Sequence, residues 1–176
     1  MKSKIINFFT DSADVLLSPD DLFNLKSQSK NYDGILTLVV FTVILALTLG
    51  ILTKNALVTG ILIISYLFSH LIFKIIQALL INLVTRLFGA NGDFIRTVNL
   101  ISYSSVLDLF VIIGLACTVL GLGIMLLPLL ILTVTWKMFI VVSAVCREYE
   151  LGIGKAFISA YGIWLLVIAI IMGLFL

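Results

Sequence analysis

From residue 106 to residue 145 the chain runs for 40 residues with only two charged side chains, Asp108 and Lys137. As one helix this stretch would be about 60 Å long, twice the ~30 Å hydrocarbon core of a bilayer. A hairpin of two spans accommodates it, with Gly121-Leu122-Gly123 as the turn and Pro128 just inside the following helix. Three further apolar runs flank the hairpin, giving spans at about 35–52, 56–84, 98–120, 126–145 and 156–176. The chain is 62% hydrophobic and 11% charged, where a soluble domain has about a quarter of its residues charged. Soluble enzymes, nucleic-acid binders and disordered tails are excluded on that ground. The expected fold class is an all-α integral membrane protein of five transmembrane helices with a short amphipathic N-terminal cytosolic cap. Residues 1–34 form the cap and 35–176 the membrane domain.

The second apolar run stays helical in character through Leu87-Phe88. At about 33 residues it would reach near 50 Å, so its far end emerges from the hydrocarbon. Gly89-Ala90-Asn91-Gly92 then supplies helix-stop chemistry. Residues 93–105 mix Phe94, Ile95, Val98 and Ile101 with Arg96, Asn99 and a Ser/Tyr cluster. Two readings stay open for this segment: the polar start of the third span, or a separate helix lying in the interface. No period of 20–50 residues repeats, which excludes solenoids.

Within the cap, Ile5, Phe8, Phe9, Ser12 and Leu16 recur at near-helical spacing, with Asn7, Asp11 and Asp14 elsewhere on the wheel. Ser18-Pro19-Asp20-Asp21 opens a second short helix: Ser18 is placed to cap it, Pro19 takes the first helical position, and the two Asp favour its positive end. Leu22, Phe23 and Leu25 give it an apolar side. These helices either pack on the bundle or contact the membrane interface. Five Asp and no long apolar core in the first 34 residues argue against a cleavable signal peptide.

Orientation follows from the basic residues. One side receives Lys2, Lys4, Lys26, Lys30, Arg86, Arg96, Arg147 and Lys155; the other receives Lys54 alone. This bias places the N-terminus in the cytosol and the C-terminus outside, in all expectation at the cell membrane. Cys117 and Cys146 fall near opposite ends of neighbouring spans, so no disulfide is expected between them.

No enzyme constellation is present, and neither a metal site nor a cofactor site is expected. There is one His, no Cys/His metal spacing, no phosphate-cradling loop and no nucleophile elbow. The notable residues are ionisable ones at membrane depth: His70 and Lys74 on the second span, Asp108 on the third and Lys137 on the fourth. Tyr66, His70, Lys74 and Gln77 fall on one helical face. Counted from the outer helix ends at 1.5 Å per residue, Asp108, Lys137 and His70 lie about 18, 17 and 20 Å deep. Similar depth on three helices points to a shared polar cluster, because an unpaired charge there costs several kcal/mol. The competing reading has Asp108 near the headgroups, Lys74 snorkelling and His70 neutral in the core. Gly60, Gly114, Ala144 and Gly162 are expected to permit close helix approach, and Trp136 and Trp164 to act as packing or interface anchors.

Several short stretches, in order, resemble the Ypt-interacting protein (Yip) family. They are Leu16-Leu17-Ser18-Pro19-Asp20-Asp21-Leu22-Phe23 before the first span and Phe88-Gly89-Ala90-Asn91-Gly92-Asp93-Phe94 after the second. Ile101-Ser102-Tyr103-Ser104-Ser105 follows, then Trp136 in the fourth span, then Glu150-Leu151-Gly152-Ile153-Gly154-Lys155-Ala156 leading into the fifth. The family-like positions are thus Pro19, Gly89, Gly92, Tyr103, Trp136, Gly152 and Lys155. The chain differs from eukaryotic members in lacking a long N-terminal extension and in carrying Leu107 where many relatives have Pro. It is similar to compact prokaryotic-type members. The resemblance implies five spans, a cytosolic N-terminus and a non-enzymatic role in membrane organisation or trafficking-like adaptor work. Partners would be the lipid bilayer, a protein at the cytosolic face (GTPase-like by resemblance alone) or further copies of the chain, and not nucleic acid. The alternative is a small solute or lipid transporter that uses the polar cluster between spans two, three and four. A subunit of a larger complex is a third reading.

Overall fold

The computed structural model describes residues 2–27 and 31–175, and all regular structure among them is helical. Helices α1 (Lys2–Leu17) and α2 (Pro19–Lys26) precede α3 (Asp33–Thr53) and α4 (Ala56–Leu87). Helix α5 (Phe94–Ser102) passes through a 3₁₀ turn, Tyr103–Leu107, into α6 (Asp108–Val119), and α7 (Leu126–Tyr149) and α8 (Ile153–Phe175) follow. Five segments are long and apolar enough to cross a membrane: Asp33–Thr53, Ala56–Leu87, Phe94–Val119, Gly123–Tyr149 and Ile153–Leu174. Helix α3 packs mainly on α4, and α6 on α7, while α8 bridges α4 and α7.

Residues Phe94–Ser102 form a helix of their own that is packed into the bundle. Every residue from Thr97 to Asp108 is buried, and the α5–3₁₀–α6 run wedges between α3, α4 and α7. Thr97, Asn99, Ser104 and Asp108 Oδ1 find partners on other elements there, which offsets part of the cost of burying them. Span ends shift by a few residues: α4 runs to Leu87, the third segment starts at Phe94, α7 runs to Tyr149, and α8 starts at Ile153.

Turn chemistry explains the joints. Lys54 adopts a left-handed conformation (φ 54°), and Asn55 caps α4 by accepting from the Leu57 and Val58 amides at 3.0 and 3.3 Å. Gly89 (φ 77°) stops α4, and Gly121 (φ 82°) makes the hairpin turn. Asp93 caps α5 through the Arg96 amide at 3.0 Å.

The two N-terminal helices sit on one end of the bundle, here the cap end, where α3 starts and α4 and α7 finish. Their apolar face differs from the expected one. Ser12 and Val15 are buried and Phe8 is half-buried, whereas Phe9 is 66% exposed; the side chain of Ile5 lies outside the described residues. In α2, Leu22 and Phe23 are buried and Leu25 is 72% exposed. Phe23 meets the ring of Tyr103 at 6.1 Å, and Phe8 stacks on Phe41 at 6.3 Å. The Ser18 side chain makes no capping bond, although Pro19 does take the first turn with Asp20 and Asp21. Lys26 ties the cap down, donating to Asp11 at 2.7 Å and to Asp33 of α3 at 2.8 Å.

Packing is concentrated at this end. The buried core includes Val15, Phe23, Ile81, Leu100, Tyr103 and Val141. Towards the far end, no residue of α4 before Gln77 is buried, and none of α8 beyond Ala160 among the described residues. Gly34 explains one close approach, since a Cβ there would run into the Asn99 carbonyl. Gly114 likewise admits Leu126, but Gly60 faces open space and Gly162 touches only Ile158 of its own helix. Those two glycines therefore do not mark helix contacts. Ala144 is buried, and both cysteines are free.

Candidate functional site

Five elements converge at mid-bundle on the ionisable residues singled out from the sequence. Lys137 on α7 donates to Asp108 Oδ1 at 2.5 Å. Asp108 stands in the first turn of α6, where the helix amides favour a carboxylate. The Asp108 side chain is 3% exposed and that of Lys137 30%. Lys74 Nζ reaches from α4 to Ser104 Oγ at 2.8 Å and Gln77 Oε1 at 3.4 Å. His70, one turn further along, shares a hydrogen bond of 3.0 Å between Nδ1 and Thr42 Oγ1 of α3. The Tyr66 ring stands edge-on to it at 5.6 Å.

The four ionisable groups act on one another electrostatically: His70 and Lys74 each feel both Asp108 and Lys137. They are one cluster joined by charge, in which only Asp108 and Lys137 touch. Its formal balance is two lysines against one carboxylate, with Asp108 Oδ2 buried and without a hydrogen-bond partner. Such a cluster can hold helices in register, or present a polar step to a solute.

The family-like positions divide between structural tasks. Pro19 is buried at the start of α2, and Tyr103 is fully buried beneath the cap. Trp136 packs on Phe139 at 5.3 Å, as Trp164 does on Phe73 at 5.7 Å. Gly89 ends α4, and Gly152 precedes α8 with open space around it. Lys155 lies 5.8 Å over the Phe88 ring, a cation–π contact. A Cβ at Gly92 would stand 2.5 Å from the Tyr149 ring, so this glycine is required by a neighbour and not by its own torsions.

Sequence reasoning missed the polar network at the cap end. The Tyr149 hydroxyl bonds Thr97 Oγ1 at 2.9 Å and accepts from Asn82 Nδ2 at 3.1 Å, joining α4, α5 and α7. Glu148 accepts the Asp93 amide at 2.9 Å and lies 3.6 Å from Arg96 Nε. Arg96 donates to the Ser27 carbonyl at 2.5 Å, and Asn99 bonds the Ile35 amide at 3.1 Å and Asn31 at 3.0 Å. Asp20 accepts from Ser143, which fixes α2 to α7, and also lies 3.7 Å from the exposed Arg147. The available signal was the set of Asn and Thr residues on otherwise apolar helices, each of which needs a partner once buried. Among the described residues no group of three or more His, Cys, Asp or Glu is arranged to hold a metal ion. No family model, curated protein or solved structure matches the chain.

Proposed function

We propose that the chain is a five-span integral membrane protein of Yip-domain type that organises membrane or adapts a partner to it, without enzymatic activity. Its N-terminus and cap lie in the cytosol and its C-terminus outside, at the cell membrane. The observation that carries this reading is the cap itself. Helices α1 and α2 contribute Val15, Leu22 and Phe23 to the same core as α4, α5 and α7, so the cytosolic end is closed by a docked surface. Polar side chains that join different spans, such as Lys74 with Ser104 and Lys137 with Asp108, bond to one another as helix-fixing groups do, and the 3₁₀ break of the third span, Tyr103–Leu107, is buried. A protein partner, GTPase-like by resemblance, or a second copy would meet the cap's exposed face, where Ile6, Phe9, Leu17 and Leu25 project.

The solute- or lipid-handling alternative draws on the unpartnered Asp108 Oδ2 and on the sparse packing of the far half of the bundle. Proteoliposomes separate the two. The adaptor reading expects reconstituted protein to change vesicle size and curvature in electron micrographs. A variant lacking residues 1–27 should insert without doing so. Solute or lipid flux above that of empty vesicles, abolished by Asp108→Asn with vesicle shape unchanged, would displace it in favour of transport.

A further inference from the structure

An open cleft of about 770 Å³ lies between α2, the start of α5 and the last turns of α7, reaching the turn into α8. Its α7 wall runs from Phe139 to Glu148, about 14 Å along the axis. The two ends differ in chemistry. At the lower end Phe139 is 49% exposed, and at the upper end stand Asp20, Arg96, Arg147, Glu148 and Glu150. Glu148 accepts the Asp93 amide and lies 3.6 Å from Arg96 Nε, so the two charges offset each other, although Arg96 Nε has no hydrogen-bond partner and Arg96 Nη1 donates to the Ser27 carbonyl. Arg147 is 41% exposed and Asp20 53%, their contact of 3.7 Å leaving both with bonding capacity, and Glu150 is exposed.

We propose that this cleft binds the headgroup of a zwitterionic phospholipid with a primary ammonium, of the phosphatidylethanolamine type, its acyl chain running down past Phe139. The proposal rests on the membrane placement of the bundle and not on the adaptor role. A guanidinium is suited to phosphate oxygens, so Arg147 takes the phosphodiester. An ammonium brings three donors, which Asp20 and Glu150 accept. The groups left free after the Arg96–Glu148 pairing are one cation and two carboxylates, a set that repels a lipid of net negative charge. A choline headgroup offers no N–H to the carboxylates. Mixed charge, together with an apolar lower wall at membrane depth, therefore selects one headgroup class over its two common competitors.

The test uses the full chain, purified in a nonionic detergent, stripped of lipid and titrated with dioleoyl phosphatidylethanolamine, phosphatidylcholine or phosphatidylglycerol in mixed micelles. Bound lipid is counted by native mass spectrometry, and Tm is followed because a ligand of the folded state raises it. Phosphatidylethanolamine should bind at least about tenfold more tightly than either competitor, and Arg147→Gln or Glu150→Gln should each erase most of that margin. Both side chains are solvent-facing, so the lipid-free Tm of these variants should match that of the parent. Equal binding of the three lipids, preference for phosphatidylglycerol, or an undiminished margin in both variants overturns the proposal. The wild-type selectivity alone decides the matter if a variant folds poorly. Failure of the membrane placement reads out separately, as release of the protein from membranes by alkaline carbonate.

Discussion

Asp108 is the group on which the mid-bundle cluster depends. Among the described residues it is the one carboxylate acting on both Lys74 and Lys137. At the observed 2.5 Å, two unit charges attract by about 7 kcal/mol at an effective dielectric of about 20. Desolvating each ion costs several kcal/mol, so the intact pair contributes little net stability, whereas stranding one partner costs about 3–5 kcal/mol. Asp108→Asn leaves two lysines facing each other with no anion and should fall in that range. Lys137→Met leaves Asp108 with Lys74 still in reach, and should cost less. The double variant should regain at least about 1 kcal/mol over the sum of the single losses. Reversible unfolding by sodium dodecyl sulfate in mixed micelles measures all three. Additive losses, or a Lys137→Met variant less stable than Asp108→Asn, would refute the assignment of Asp108 as shared counter-ion.

Three further outcomes follow from the packing. Burial alone would lower the Lys26 pKa, but hydrogen bonds and charge from Asp11 and Asp33 outweigh it and raise it above its ordinary 10.5. Its contribution to cap docking is therefore complete below pH 10.5 and lost as pH rises through the higher folded-state value. Lys26→Met should cost about 1 kcal/mol at neutral pH and remove that alkaline step from hydrogen exchange of the α1 amides. Gly34→Ala drives a Cβ into the Asn99 carbonyl and should cost about 1–3 kcal/mol in thermal unfolding, while Gly60→Ala, in open space, should be neutral or slightly stabilising. Tyr149→Phe should cost only about 1 kcal/mol, because Thr97 Oγ1 loses its bond to the Tyr149 hydroxyl but keeps the one to the Asp93 carbonyl at 2.9 Å, and the half-exposed Asn82 loses one acceptor.

The long elements were legible because apolar length is a strong, local signal. Ala56–Leu87 and the hairpin at Gly121 fall where hydropathy and turn residues put them. Pairing was less legible. Depth arithmetic put Asp108 and Lys137 level, but could not say which way either side chain points, and the contact depends on the α5–3₁₀–α6 run being buried. That burial is decided by tertiary partners: Asn99 finds the Ile35 amide, and Thr97 finds Tyr149, across 64 and 52 residues of sequence. The same limit explains α1, where Ser12 and Leu16 lie inward as the helical period expects but Phe9 is exposed and Val15 is buried against the neighbouring helices. Ser18 stands at the N-cap position of α2 as expected, but its side chain makes no capping hydrogen bond.

Membrane topology is the claim on which the cap, the cleft and the adaptor reading all depend. Paired reporters, one active only in the cytosol and one only outside, inserted after Asn55, Asn91, Gly121 and Gly152 and fused after Leu176, test it directly. The cytosolic reporter should work at Asn91 and Gly152, and the exterior one at Asn55, Gly121 and Leu176. The reverse pattern, or cytosolic activity at all five positions, would contradict a five-span protein with its cap in the cytosol.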